Sequence, residues 1–90
     1  MQITFDEGKR RKTLDERGLD FANAGRVFDG SEFTWVDDRF DYGEIRYNTF
    51  GSLDGRLIAL TWTIRGDKRH IISMRKANER EQARYRRAMG

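Results

Sequence analysis

The last two predicted strands carry the residues of this chain that are best suited to chemistry. Arg65, His70, Arg75 and Lys76 follow one another in this region. RNA can be cleaved without a metal ion when a base removes the 2′-OH proton, a cation stabilises the charge developing on the phosphate, and an acid protonates the leaving 5′-oxygen. Arginine suits the second role because its planar guanidinium matches two phosphate oxygens. His70 is the only histidine, and its ordinary pKa near neutrality suits a proton donor or acceptor.

The same residue types are also common on protein surfaces. His70 could be a half-exposed strand residue, and the arginines could be ordinary solvated charges. Their spacing alone favours this second interpretation. The chemical hypothesis therefore needs support from the rest of the chain.

Charge is distributed unevenly along the chain, and this asymmetry indicates a polyanionic partner. Residues 1–64 hold nine Lys/Arg and twelve Asp/Glu, whereas residues 65–90 hold nine Lys/Arg and three Asp/Glu. A second basic run lies at 9–12 (KRRK). Basic clusters bind nucleic acids because neutralising phosphates releases condensed counterions. Each cluster alone could be a solvated face, but together they favour nucleic acid over other polyanions.

An acidic segment over residues 29–44 separates the two basic clusters. Its carboxylates could bind Mg²⁺, which prefers oxygen ligands. A solvated acidic loop is the commoner arrangement, and a basic protein partner would use the same charges. The carboxylates that could hold the metal are Asp37, Asp38, Asp41 and Glu44.

Motifs of most other enzyme classes are missing from the chain. It has no P-loop, no GxSxG sequence and no cysteine, so neither a nucleotide cradle, a serine nucleophile nor a thiolate zinc site can be assigned. One histidine cannot form a histidine-rich metal site. Among common metal sites, these residues leave only the acidic Mg²⁺ site open.

Length and composition predict one domain over residues 1–90. A chain of this size buries only about 60–65 % of the surface that its unfolded form exposes, which leaves no room for a second core. Hydrophobic residues make up 37 % of the chain, enough for a modest core. The absence of cysteine fits a reducing compartment, and the charged first twenty residues exclude a signal peptide or membrane span. We expect a cytoplasmic protein that does not bind membranes.

The pattern of apolar residues and capping residues predicts an α+β fold with two N-terminal helices, a curved antiparallel sheet and a C-terminal helix. Asp6 and Gly18 bound the first helix, and Asp20 begins the second. Residues 51–55 supply a turn. The strands are expected at 2–5, 33–36, 45–50, 57–64 and 70–74, and the helices at 7–17, 21–29 and 79–89. In the last helix, Tyr85, Ala88 and Met89 are expected to face the sheet, and the residues expected along the outer edge are Arg80, Arg84 and Arg87.

A series of short segments has the order and spacing of a known family. The segments lie at 5–6, 17–19, 21–29, 41–46, 63–66, 71–77 and 81–85, and the most specific are 41–44 (DYGE) and 71–77 (IISMRKA). In these segments, which extend over almost the whole chain, the sequence resembles the BrnT toxin family. The resemblance implies a RelE-like ribonuclease fold and a toxin of a bacterial type II toxin–antitoxin system. Such toxins inhibit translation by cleaving RNA without a metal cofactor.

The resemblance also implies partners. A BrnA-like antitoxin is expected to neutralise the toxin, and the complex is expected to contain a toxin homodimer. Operator DNA would be bound only through the antitoxin. The acidic segment would then face the antitoxin, and the basic last strand would face RNA.

Among the candidate site residues, Arg65, Arg75 and Lys76 match the family pattern, whereas the role of His70 rests on its own chemistry. Arg65 and Arg75 are expected to stabilise the scissile phosphate, and His70 to exchange protons. The residues expected to hold the RNA backbone are Lys76, Arg80 and Arg84.

The chain departs from the family pattern at Arg17 and His70. Many relatives have histidine where this chain has Arg17, and arginine where it has His70. If the two sites lie close together, one imidazole and one guanidinium are retained. The alternative hypothesis is a catalytically weak or inactive homologue that binds the antitoxin in an operator complex.

Overall fold

A computed structural model describes residues 1–90 as five strands and three helical segments. The strands are β1 (Ile3–Phe5), β2 (Phe33–Asp37), β3 (Arg46–Leu53), β4 (Arg56–Arg65) and β5 (Lys68–Lys76). The helices are α1 (Glu7–Arg17), a 3₁₀ helix (Phe21–Val27) and α2 (Glu79–Met89). Neither α-helix has the length and apolar sequence needed to cross a membrane.

The five strands form one mixed sheet in the order β1-β5-β4-β3-β2. Strands β2 to β5 pair as an antiparallel meander, whereas β1 pairs parallel to β5. The prediction of an all-antiparallel sheet is therefore wrong at β1. A short hairpin forces antiparallel pairing, but the connection from β1 to β5 is long enough to allow either direction. Apolar periodicity carries no information about that choice.

The second predicted helix is a 3₁₀ helix rather than an α-helix. Its buried residues, Phe21, Ala24 and Val27, recur every third position, which matches the three residues per turn of this helix type. Asp20 caps it as predicted, with its carboxylate accepting from the backbone N–H of Ala22 at 2.9 Å. The helix packs its buried stripe on one face of the sheet.

The hydrophobic core lies between this helix and the central strand β4. Ile58, Leu60 and Trp62 alternate along β4 and point to the same side, where Ile71 and Met74 of β5 join them. Alternate residues of a strand point to opposite faces, so this choice leaves the odd-numbered residues of β4 on the other side. Strand β4 is the middle strand of the sheet, as the apolar residues on both of its faces predict.

Helix α1 has the predicted bounds and caps. The carboxylate of Asp6 accepts from the backbone N–H of Lys9, and Gly18 adopts φ 69° at the other end. No residue of α1 is buried. Arg10 ties α1 to the 3₁₀ helix by donating to both carboxylate oxygens of Asp20 at 2.8 and 3.1 Å.

The turn between β3 and β4 is shorter than residues 51–55. Strand β3 continues to Leu53, and only Asp54 and Gly55 turn the chain, with φ values of 51° and 77°. Two successive positive φ values are typical of the type I′ hairpin. Gly51 is therefore a buried strand residue, and a Cβ there would lie 2.9 Å from the carbonyl oxygen of Val27 and still closer to its Cγ1.

Substitution of Gly51 tests this close approach between β3 and the 3₁₀ helix. Because an added methyl group meets backbone, we expect Gly51→Ala to lower the free energy of unfolding by about 1–3 kcal/mol. Urea denaturation would measure the change, with the exposed neighbour Ser52→Ala as the control. Equal stabilities of the two variants would contradict the packing.

Candidate nucleic-acid interface

The face of the sheet opposite the 3₁₀ helix is called the open face here. Cross-strand pairing places Asn48 beside Thr61 and Phe50 beside Ala59, and Arg75 pairs with Ala59 from the other side. Together with α2, this face encloses a cavity of about 450 Å³. The residues that line the cavity are Trp35, Arg39, Asn48, Phe50, Ala59, Leu60, Thr61, Ser73, Arg75, Glu81 and Arg84.

Helix α2 supplies one wall of the cavity because its start is fixed by a capping box. The side chain of Asn78 accepts from the backbone N–H of Glu81, and the carboxylate of Glu81 accepts from the backbone N–H of Asn78, both at 2.9 Å. Glu81 and Arg84 lie three positions apart and so share one side of the helix. Arg84 was expected on the outer edge of α2, but it lines the cavity. Met89 was expected to face the sheet, but 45 % of its surface is exposed.

Two of the arginines at the cavity are held by carboxylates. Arg75 donates to both oxygens of Glu81 at 2.7 Å, and this pairing holds the pKa of Glu81 below its ordinary value. Arg39 donates to both oxygens of the buried Asp37 at 2.8 Å and holds the pKa of that carboxyl far below its usual range. Both guanidiniums therefore have fixed orientations. Their bidentate geometry is the one that arginine also uses for phosphate.

Aromatic rings form part of the floor. Trp35 contacts Phe50 edge-on, with ring centroids 4.7 Å apart, and stacks with Phe33 at 5.4 Å. The guanidinium carbon of Arg84 lies 4.4 Å from the centroid of a Trp35 ring. Cations next to aromatic rings in an open groove are the features that proteins binding single-stranded nucleic acids combine.

Arg65 and His70 lie on the same face as Arg75 but outside the cavity. His70 pairs across the sheet with Thr63, and Arg65 follows two residues after Thr63 on β4. His70 and Arg75 are five positions apart on β5, which separates their backbones by about 15 Å. A register irregularity of the β4–β5 pairing, at Thr61 and Trp62, lies between the two places. The three predicted catalytic residues thus fall into two groups.

The environment of His70 favours the neutral form of its imidazole. Burial lowers its pKa, and the nearby positive charge of Arg65 lowers it further. Its Nδ1 lies 2.9 Å from the hydroxyl oxygen of Thr4 on β1. Arg65 donates to a carboxylate oxygen of Glu44 at 3.2 Å. Arg65, His70 and Glu44 therefore form a second polar group at the far end of the open face.

The other residues predicted to bind RNA differ in their placement. Arg84 lines the cavity, whereas Lys76 and Arg80 are exposed outside it. Lys76 pairs with Ile58 and so points away from the open face. The sequence analysis did not single out Arg39 or Trp35. The sequence offers one signal for Arg39, because it is the only basic residue of the acidic segment.

Arg17 and His70 contact different parts of the molecule. The Arg17 guanidinium donates to the carbonyl oxygen of Met74 at 3.0 Å and joins the end of α1 to β5. The charged groups that influence His70 are Arg65, Glu44 and residues at the start of α1. The structure therefore shows Arg17 in a structural contact and not beside the imidazole.

The acidic segment does not assemble a metal site. Asp37 binds Arg39, and Glu44 binds Arg65. Asp41 accepts from the backbone N–H of Gly43 within a local turn. No three acidic or histidine side chains converge anywhere in the chain. The segment instead supplies internal partners for arginines of the open face.

An α+β fold with a basic, aromatic cavity on one sheet face defines a class of small proteins suited to single-stranded nucleic acid. Residues 5–81 match the family described as "Ribonuclease toxin, BrnT, of type II toxin-antitoxin system". Because this match spans most of the sequence, the chain belongs to the BrnT toxin family. Membership implies RNA as the target and an antitoxin as the partner, and it confirms the resemblance found in the sequence.

A solved structure supports the same assignment. The chain is similar to the crystal structure of the Brucella abortus ribonuclease toxin, BrnT, with a TM-score of 0.71 and 30 % sequence identity. The similarity covers 88 % of this chain and 99 % of that chain. No curated protein sequence matches the chain significantly.

Glu81→Gln tests the ion pair that orients Arg75, because glutamine keeps the capping box and removes only the charge. The lowered pKa of Glu81 means that the pair stabilises the fold above the ordinary glutamate pKa of about 4.3 and that this effect is lost as the pH falls through the lower folded-state value. We expect the variant to be less stable at pH 7 by up to about 1 kcal/mol, with no difference in strong acid.

Urea denaturation at a series of pH values would measure this dependence. Glu79→Gln, in the same first turn but without an ion pair, is the matched control. A stability difference that is the same at every pH would contradict the proposed electrostatic origin.

Proposed function

We propose that this protein is a metal-independent endoribonuclease toxin that cleaves RNA in the bacterial cytoplasm and thereby inhibits translation. The observation that carries the proposal is the convergence of Arg39, Arg75 and Arg84 on an open cavity with an aromatic floor. Preorganised cations around a phosphate stabilise the charge that develops when the 2′-oxygen attacks. Membership in a ribonuclease toxin family supports the choice of RNA as the substrate. We also propose that the fold that carries this site is RelE-like.

Arg75 is proposed to hold the scissile phosphate. Its guanidinium now donates to both carboxylate oxygens of Glu81. A phosphate would therefore replace this carboxylate or share the guanidinium with it. Glu81 is the carboxylate of the cavity that faces Arg75, and its position beside a phosphate held there would place it to accept the 2′-OH proton. The O2′–P bond then forms, the P–O5′ bond breaks, and the 5′-oxygen takes a proton from solvent. The products are a 2′,3′-cyclic phosphate and a 5′-hydroxyl.

Arg65 and His70 are proposed to contact the same strand at another nucleotide. About 15 Å of backbone separates His70 from Arg75, and Arg65 lies still further along the sheet, so this geometry favours a neighbouring nucleotide for both. The roles expected for them from the sequence, phosphate stabilisation and proton exchange, would require both groups at one phosphate. Arg84 is proposed to hold the RNA backbone at the cavity, and Lys76 and Arg80 are proposed to hold it where the strand continues past the cavity.

The partner proposal follows from the type II family. A BrnA-like antitoxin is proposed to neutralise the toxin in a complex that contains a toxin homodimer, and operator DNA is proposed to be bound only through the antitoxin. Support comes from the family description, which places the chain in a type II toxin-antitoxin system. Mass measurement of the purified complex would test the stoichiometry.

Alanine variants in excess EDTA test the proposed reaction. We expect the wild-type protein to cleave unstructured labelled RNA and to leave 2′,3′-cyclic phosphate ends, and Arg75→Ala to reduce the rate at least about 100-fold. Arg65→Ala and His70→Ala are expected to lose less. Arg56→Ala, an exposed arginine outside the open face, is the control.

Two results would contradict this assignment. A His70→Ala loss equal to that of Arg75→Ala would return proton exchange to His70. A folded wild-type protein that leaves RNA intact would favour the catalytically inactive homologue that binds only the antitoxin. Circular dichroism of each variant would establish that it is folded.

A further inference from the structure

We propose that Trp35 forms a stacking subsite for one unpaired RNA base and that Arg84 occupies this subsite in the free protein. The proposal rests on the proposed function in taking single-stranded RNA as the ligand. It does not depend on cleavage. It assigns a binding role to a residue that the sequence analysis did not single out.

The indole ring of Trp35 has the position and rigidity that stacking requires. It is half-buried on β2 and lines the cavity. Phe33 and Phe50 brace it at centroid distances of 5.4 and 4.7 Å. A ring fixed by its neighbours loses little conformational entropy when a ligand binds.

Arg84 covers the ring but is weakly attached. Its guanidinium carbon lies 4.4 Å from the ring centroid, and it makes no hydrogen bond and no ion pair within the chain. Arg75 and Arg39, by contrast, each make two hydrogen bonds to a carboxylate. Arg84 is therefore the arginine of the cavity that a base can displace most easily.

A base that stacks on Trp35 can displace the guanidinium of Arg84 and still remain in contact with it. Nucleic-acid bases stack on aromatic side chains, and an arginine can stack in turn on the base or move to its phosphate. Arg75 lines the same cavity, so the phosphate next to the base would lie within the basic groove. The subsite would thus hold the strand while Arg75 engages its backbone.

Stacking, and not recognition of base edges, is expected to supply the binding. The nearest amide, that of Asn48, already accepts from the hydroxyl of Thr61 at 2.8 Å. The amide also helps to lower the pKa of the Asp37 carboxyl, although Arg39 is the main cause. With these polar groups engaged, the subsite should accept different bases with similar affinity.

Oligonucleotides with missing bases test the subsite directly. The probe is a labelled 2′-O-methyl RNA oligonucleotide, which lacks the attacking hydroxyl and stays intact, with a matched series in which one nucleotide at a time is abasic. We expect one abasic position to weaken binding to the wild-type protein by about 5- to 150-fold. Trp35→Ala should bind the complete oligonucleotide as weakly and show no further loss with the abasic one. Fluorescence anisotropy would measure both affinities.

Two further variants control for loss of the fold. Trp35→Phe keeps an aromatic ring and should retain most of the affinity. Val36→Ala removes an exposed apolar side chain of the same strand that does not line the cavity, and it should change nothing. Undiminished binding by Trp35→Ala, or an abasic penalty that persists in this variant, would overturn the proposal. A Trp35-dependent base effect in a protein that fails to cleave unmodified RNA would retain the subsite and reject only the nuclease.

Discussion

The division of β4 into two faces is the constraint on which the rest of this structure depends. Ile58, Leu60 and Trp62 bury one face of the strand against the 3₁₀ helix and Phe28, which follows that helix. The alternating residues, such as Ala59 and Thr61, are then committed to the opposite face. That face is covered only in part by α2, so a cavity remains there. Because the hydrophobic core lies on the other face of the sheet, the open face remains available for the site.

Internal ion pairs organise the charge asymmetry of the sequence. Asp37 and Glu44 of the acidic segment form ion pairs with Arg39 and Arg65, respectively. In the same way, Glu81 of α2 forms an ion pair with Arg75. These pairs orient guanidiniums that would otherwise be mobile, and they also occupy the donors that a phosphate would use. RNA binding must therefore compete with the protein's own carboxylates. Arg84 rests on an aromatic ring and makes no hydrogen bond to a carboxylate, so its competition is limited to a longer-range attraction to Glu81.

Local signals in the sequence account for what could be predicted. The bounds of α1 and α2 follow from Asp6, Gly18 and Asn78, whose capping roles depend on neighbours only a few positions away. The direction of β1 was predicted wrongly because parallel pairing depends on the whole connection to β5. The cavity was missed because Trp35, far along the chain, meets Arg84 only through strand pairing and helix docking. Arg65, His70 and Arg75 are close in sequence, yet extended backbone keeps them in two groups.

A structure of the protein with a 2′-O-methyl RNA oligonucleotide would test most directly whether the open face is the site of RNA binding and cleavage. This account predicts a phosphate within hydrogen-bonding distance of the Arg75 guanidinium, with its pairing to Glu81 loosened. RNA bound on the face of the 3₁₀ helix, or an empty cavity in which Arg75 and Glu81 remain fully paired, would contradict it.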